Sequence, residues 1–82
     1  MTPQKAFARV LREVRNRRGL SQEGLALDSG ISRNYVSLLE RGAHSVALNK
    51  LFLICHTLRV RPSNLLRRVE AHATKLPPRK SD

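Results

Sequence analysis

Two serine-opened, glycine-closed segments, SQEGLALDSG and SRNYVSLLERG, fill residues 21–42 with only Ile31 between them. That punctuation constrains the chain more than any other feature. Serine at the position before a helix accepts a hydrogen bond from a backbone N–H of the first turn, which otherwise has no partner. Glycine stops a helix by entering the left-handed region at no steric cost. The pattern therefore predicts a short helix from Gln22 to about Ser29, a tight bend, and a second short helix that starts after Ser32 and closes at Gly42. Gly24 stands where a capping box would place glutamate, which weakens the first of the two.

The flanking sequence reads as helix as well. Thr2 and Pro3 supply a cap and a first-turn proline, Phe7, Val10, Leu11 and Val14 recur at helical spacing, and Gly19 ends that segment. A fourth helix is expected from about Ala47 to Leu58, with Leu48, Leu51, Phe52, Cys55 and Leu58 as its apolar face. A fifth begins near Pro62 and carries Leu65, Leu66 and Val69. No segment reads as a strand, so the expected fold is all-α with five helices. Residues 1–70 form the expected domain, and 71–82, which includes TKLPPRKSD, reads as a basic disordered tail.

Charge narrows the function. Sixteen Lys and Arg against six Asp and Glu give the 82-residue chain a formal net charge of +10, so polyanions attract it at long range. Nucleic acid and an anionic membrane surface both fit that balance. The longest unbroken apolar run, LFLIC at 51–55, is far short of the ~20 residues of a bilayer span. The N-terminal stretch has no apolar core of a signal peptide, and one cysteine makes no intrachain disulfide. The expectation is a soluble, cytoplasmic protein.

A pair of short helices with glycine at the bend is the pattern of a helix-turn-helix, whose second helix presents its N-terminal residues to base edges in the major groove. Those residues here are Arg33, Asn34, Tyr35 and Ser37, with Val36 and Leu39 on the opposite, inward face. Arginine matches guanine O6 and N7 with two hydrogen bonds, and asparagine matches adenine N6 and N7. Tyr35 has the alternatives of a phosphate contact or local packing, and Leu38 those of a thymine methyl or the edge of the core. Arg17, Arg18, Arg41 and Lys50 are candidates for the phosphate backbone, with a solvated face as the other reading of each.

The stretch LREVRNRRGLSQEGLALDSGISRNYVSLLERG resembles the helix-turn-helix domains of the phage Cro and repressor family. The resemblance rests on Arg12 and Arg15, on Gly19, Leu20, Ser21 and Gln22, on Leu25 and Ala26, and on Glu40, Arg41 and Gly42. It continues through LNKLFLICHTLRVRPSNLL, and covers roughly residues 7–69. It implies a compact, lambda-repressor-like five-helix fold and a transcriptional regulator, repressor or activator, of a prokaryote or phage. Within the family the chain is most similar to the small controllers of restriction–modification systems, whose recognition helices often read Arg-x-Tyr-Ile/Val-Ser and which bind as dimers. One departure is His44 and Ser45, where those controllers often carry Arg-Asn; it leaves His44 as the candidate backbone contact of that loop. The resemblance further implies that Gln22, with Ser21 and the backbone at the start of the second helix, holds a phosphate. It also implies that Arg15 and Glu40 form a structural ion pair.

No constellation in the sequence supports catalysis or a metal. His44, His56 and His72 are scattered, and His56 beside Cys55 falls short of the three or four ligands of a zinc site. No cofactor is implied. The expected partner is a double-stranded, (pseudo)palindromic operator read by a homodimer, because a single recognition helix reaches too few base pairs to select a site. Leu65, Leu66 and Val69 are the expected dimer contacts, with the monomer core as the other reading of Leu65. RNA polymerase would be blocked or contacted according to where the site lies. The alternatives are the antitoxin half of a toxin–antitoxin pair, gripping a toxin with residues 71–82, and a bridging module that binds protein or RNA.

Overall fold

The computed structural model describes residues 1–73; the segment expected to be a disordered tail lies, from residue 74 onward, outside the described residues. Five helices follow in order: α1 (Pro3–Arg17), α2 (Gln22–Ser29), α3 (Arg33–Glu40), α4 (Leu48–Leu58) and α5 (Pro62–His72). Among the described residues there is no strand. α5 runs two residues beyond the domain boundary expected at residue 70.

The helix starts form where the sequence places caps. Thr2 Oγ1 accepts from Lys5 N–H at 3.2 Å, Ser21 Oγ from Gly24 N–H at 2.9 Å, and Ser32 Oγ from Tyr35 N–H at 3.0 Å. α2 ends on Gly30, whose left-handed φ of 71° turns the chain so that Ile31 N–H reaches Ala26 O at 3.0 Å. That closure sets the short bend before α3.

α1 packs against α3 and α5, α2 against α3 and α4, and α4 against α5. One apolar cluster results, built from Phe7, Val10, Leu11 and Val14 of α1, Leu25 and Ala26 of α2, and Val36 and Leu39 of α3. Leu51, Ile54, Cys55 and Leu58 of α4 and Leu65 and Val69 of α5 complete it. Burying each large aliphatic side chain contributes roughly 1.5–3 kcal/mol, so the core holds helices too short to stand alone in water. Ser29 is buried with its hydroxyl on Thr57 Oγ1 at 3.0 Å, which ties α2 to α4. At the surface Glu13 accepts from Arg9 on one oxygen and from Arg68 of α5 on the other, each at 3.2 Å. The Arg9 hydrogen bond, helped by the charges of Arg9 and Arg68, holds the Glu13 carboxyl below its ordinary value.

Two expectations are corrected by the packing. Leu48 and Phe52 are exposed, at 70% and 57%, and Ile54 takes the inward position on α4. The buried set Leu51, Ile54, Cys55 and Leu58 keeps the i, i+3, i+4, i+7 spacing, but in an unbroken run such as LFLIC several faces satisfy it. Leu65, expected at a dimer contact, is 1% exposed and belongs to the monomer core; Val69 is also buried, leaving Leu66 as the exposed leucine of α5.

Candidate nucleic-acid interface

α3 buries Val36, Leu39 and Glu40 and leaves Arg33 and Asn34 of its first turn exposed, with Ser37 half-buried. Arg33, Asn34 and Ser37 line a groove of about 280 Å³ whose remaining wall is Gln22, the first residue of α2. A guanidinium fork, two amides and a hydroxyl thus converge from two helix starts. These are the donor and acceptor types that match base edges and phosphate oxygens.

The recognition helix is held from its far end. Arg15 Nε donates to Glu40 Oε2 at 2.6 Å, and Arg15 Nη2 to Oε1 at 2.9 Å. Arg15 Nη1 donates to Leu20 O at 2.7 Å, which fixes the entry into α2 as well. The hydrogen bond to Glu40 raises the Arg15 guanidinium above its already high ordinary value, against the opposing effect of burial. Two further α1 side chains satisfy carbonyls at the end of α3: Arg12 Nη2 on Glu40 O at 2.8 Å and Lys5 Nζ on Arg41 O at 3.4 Å. Gln22 Nε2 donates to Glu40 Oε1 at 3.1 Å, so the same carboxylate reaches the groove.

The loop after α3 is anchored at two points. Gln4 Nε2 donates to Ser45 Oγ at 2.9 Å, and the Ala47 N–H donates to the Tyr35 hydroxyl at 3.0 Å. Tyr35 is half-buried and packs on the core, and its hydroxyl props the start of α4.

The structure brings Gln22, Arg33, Asn34 and Ser37 together and leaves other expected contacts elsewhere. Ser21 is exposed as the cap of α2, at the mouth of the same helix start. Arg17 closes α1 and is exposed, whereas Arg18 turns its guanidinium onto Arg59 O at 3.3 Å, at the end of α4. Arg41 lies past the other end of α3, in a groove lined also by Lys5, Arg9 and Arg12. His44 lines an apolar groove of about 190 Å³ with Phe7, Val46, Leu66 and Val69. The contacts of Arg12 and Gln22 with Glu40 were not legible in the sequence. The one available signal was that Arg12 and Arg15, three apart on α1, share a helix face.

Cys55 is buried, and burial pushes its thiol up to about 11, so it carries no thiolate at neutral pH. Among the described residues no group of three or more His, Cys, Asp or Glu side chains is placed to hold a metal ion. No described helix is long and apolar enough to cross a membrane.

Two short helices at a capped bend, with an open polar first turn on the second, define the DNA-binding class of helix-turn-helix proteins. The helix-turn-helix family model matches residues 11–65, and the chain belongs to that family. It is 36% identical over 61 residues to the control protein C.BamHI of Bacillus amyloliquefaciens, covering 73% of this chain and 75% of that one. The crystal structure of the restriction–modification controller C.AhdI from Aeromonas hydrophila superposes with a TM-score of 0.73 at 40% identity, over 76% of this chain and 94% of the controller. The clp gene regulator ClgR of Corynebacterium glutamicum gives a TM-score of 0.84 at 28% identity, over 90% of this chain and 95% of its own. The protein is a DNA-binding transcriptional regulator of the Cro and repressor type.

Proposed function

We propose that the protein binds a (pseudo)palindromic operator as a homodimer and controls transcription by occupancy, in the manner of a restriction–modification controller. The observation that carries this reading is the groove in which Arg33, Asn34 and Ser37 of α3 meet Gln22 of α2. Arg33 and Asn34 are the base readers, because they are the exposed fork and amide of the first turn. Tyr35 supports them by holding the start of α4. Arg17 and the uncommitted N–H groups at the start of α2 take flanking phosphates, while the net charge of +10 supplies affinity for any duplex. Occupancy needs no catalytic group.

The second half-site comes from a second copy. Leu66 is 43% exposed on α5, and Leu48 and Phe52 stand out from α4 at one-turn spacing. Apolar side chains of this size left in water on two neighbouring helices fit a two-fold contact that sets recognition helices about 34 Å apart. The controller relatives support the restriction–modification setting, and polymerase is the machinery such a dimer would block or recruit.

The test is selection from a random duplex pool with the full chain, followed by titration of the enriched duplex and a scrambled duplex at physiological salt. A two-fold repeat bound at least ~10³ more tightly than the scramble is expected. Equal, steeply salt-dependent binding to both would reduce the protein to a non-specific phosphate binder.

A further inference from the structure

The turn between α4 and α5 places two arginines where the local structure favours other residues. Arg59 closes α4 with a φ of 57°, in the left-handed region where glycine is at ease and an L-residue is strained. Arg61 is the N-cap of α5, makes no side-chain cap hydrogen bond, and is followed by no acidic residue in the first turn. Serine, threonine, aspartate or asparagine would stabilise that start, and the positive end of the helix repels a cation. At α1, α2 and α3 the chain does use the favoured residues, with Thr2, Ser21 and Ser32 as caps and Gly30 as the stop of α2. Residues that break a local rule with no local gain mark a place kept for another purpose.

The two arginines border a groove of about 250 Å³, in which Val14, Val60 and Leu65 are the apolar part and Arg59, Arg61, Asn64 and Arg68 the polar part. Val14 and Leu65 are buried and Val60 is half-buried, while Arg59, Arg61 and Asn64 are exposed, so an apolar floor lies under a cationic rim. Arg68 is engaged, donating to Glu13 at 3.2 Å. Among the described residues the side chains of Arg59 and Arg61 make no hydrogen bond and no ion pair. Arg18 Nη2 donates to Arg59 O at 3.3 Å, which ties the backbone of the turn to the end of α1 and leaves both guanidinium groups uncommitted. No residue of α2 or α3 lines this groove, and it shares none with the groove of Gln22, Arg33, Asn34 and Ser37.

The make-up of the groove selects among anions. A phosphate has nothing to place on an apolar floor, whereas a polypeptide with carboxylates flanking an aliphatic side chain matches floor and rim together. We propose that the α4–α5 turn is a docking site for an acidic segment of a partner protein. The aliphatic side chain of that segment sits on Val14, Val60 and Leu65, its carboxylates pair with Arg59 and Arg61, and Asn64 meets its backbone. Because the site is separate from the base-reading groove, the protein can hold a duplex and a protein partner at once.

The test is an amide NMR titration of the full, isotope-labelled chain at physiological salt with the capped peptide DDELDD and with DDESDD. DDELDD should shift the amides of Val60, Arg61 and Asn64 and saturate, and DDESDD should bind about tenfold more weakly, because it gives up the burial of a leucine. Arg59→Gly and Arg61→Ser each install a residue type the position favours, so both should melt at or above wild type. Each should nonetheless bind DDELDD about threefold more weakly, the worth of one exposed ion pair, and the double variant about tenfold. A random-sequence duplex should shift the amides at the start of α3 and leave those of the turn in place. The inference is overturned if DDELDD and DDESDD bind alike, if neither binds, or if both arginine variants bind as wild type does. A duplex that shifts the turn as strongly as α3 would make the groove a phosphate contact and overturn it equally.

Discussion

Arg15 and Glu40, 25 residues apart in sequence, are joined by two hydrogen bonds of 2.6 and 2.9 Å, with side chains only 11% and 2% exposed. The pair connects α1 to the end of the recognition helix, and through Arg15 Nη1 on Leu20 O it also fixes the entry into α2. Removing one partner leaves the other charge poorly solvated. Glu40→Ala should therefore lower unfolding stability by about 3–5 kcal/mol in urea denaturation, enough to unfold much of so small a domain. An Arg15→Met, Glu40→Leu double variant should regain most of that loss, since an apolar pair of similar volume strands no charge. A double variant as unstable as Glu40→Ala would show that the pair contributes geometry that packing cannot replace.

Arg59 is the one non-glycine residue with positive φ among the described residues, at 57°, and it caps the C-terminus of α4. Its N–H reaches His56 O at 3.2 Å, and Val60 N–H reaches Cys55 O at 3.0 Å, a closure that glycine ordinarily provides. An L-residue in the left-handed region costs roughly 1–2 kcal/mol. Arg59→Gly should raise the denaturation midpoint by an amount worth about 1 kcal/mol, part of the relief being offset by glycine's freer unfolded chain. The hydrogen bond from Arg18 falls on the Arg59 carbonyl and survives the substitution.

Gly30 and Gly42 separate backbone strain from crowding. Both have positive φ, 71° and 68°, but a Cβ on Gly30 meets nothing within 4 Å, whereas one on Gly42 would lie 2.8 Å from Lys5 Cδ and 3.4 Å from Lys5 Cα. Gly30→Ala should cost about 1 kcal/mol of left-handed strain alone. Gly42→Ala should cost more, because Lys5 must move and in moving gives up its contact with Arg41 O. Equal losses in parallel melts would mean that the Lys5 stem yields freely.

What the sequence disclosed follows from how local each signal is. Caps and glycine stops act within a few residues, so Ser21, Gly30, Ser32 and Gly42 placed α2 and α3 almost to the residue. The α4 face was misread because LFLIC is apolar in every register, and only α5 and α2 decide which side is covered. Arg33 and Asn34 were visible as a polar first turn, and Gln22 as the opening of α2. Their meeting in one groove depends on the angle between two helices, and the contacts of Tyr35 with Ala47 and of Gln22 with Glu40 depend on tertiary packing. No periodicity encodes those.

Cys55 gives the pH prediction. Its thiol is pushed up to about 11 in the fold by burial, against about 8.5 for an unfolded cysteine. The folded state thus keeps a proton that the unfolded state loses, so this stabilisation is complete below about pH 8.5 and is lost as pH rises through about 11. Wild type minus Cys55→Ala stability, measured by denaturation at pH 8 and pH 10.5, should shrink at the higher pH. At pH 8 a thiol reagent should label native protein only at the rate at which the core opens.

Leu65 and Leu66 are adjacent in sequence and are expected to fail in different ways. Leu65 is 1% exposed in the core between α1, α4 and α5, and Leu65→Ala should lower stability by about 2–5 kcal/mol at any protein concentration. Leu66 is 43% exposed, so Leu66→Glu should leave the thermal melt of dilute monomer nearly unchanged. Sedimentation at high micromolar concentration should show wild type as a dimer and Leu66→Glu shifted toward monomer. Operator affinity should fall in parallel, because losing the two-fold contact uncouples the half-sites. Wild type that stays monomeric throughout that range, or a Leu66→Glu variant that dimerises as wild type does, would move the two-fold contact off this face of α5.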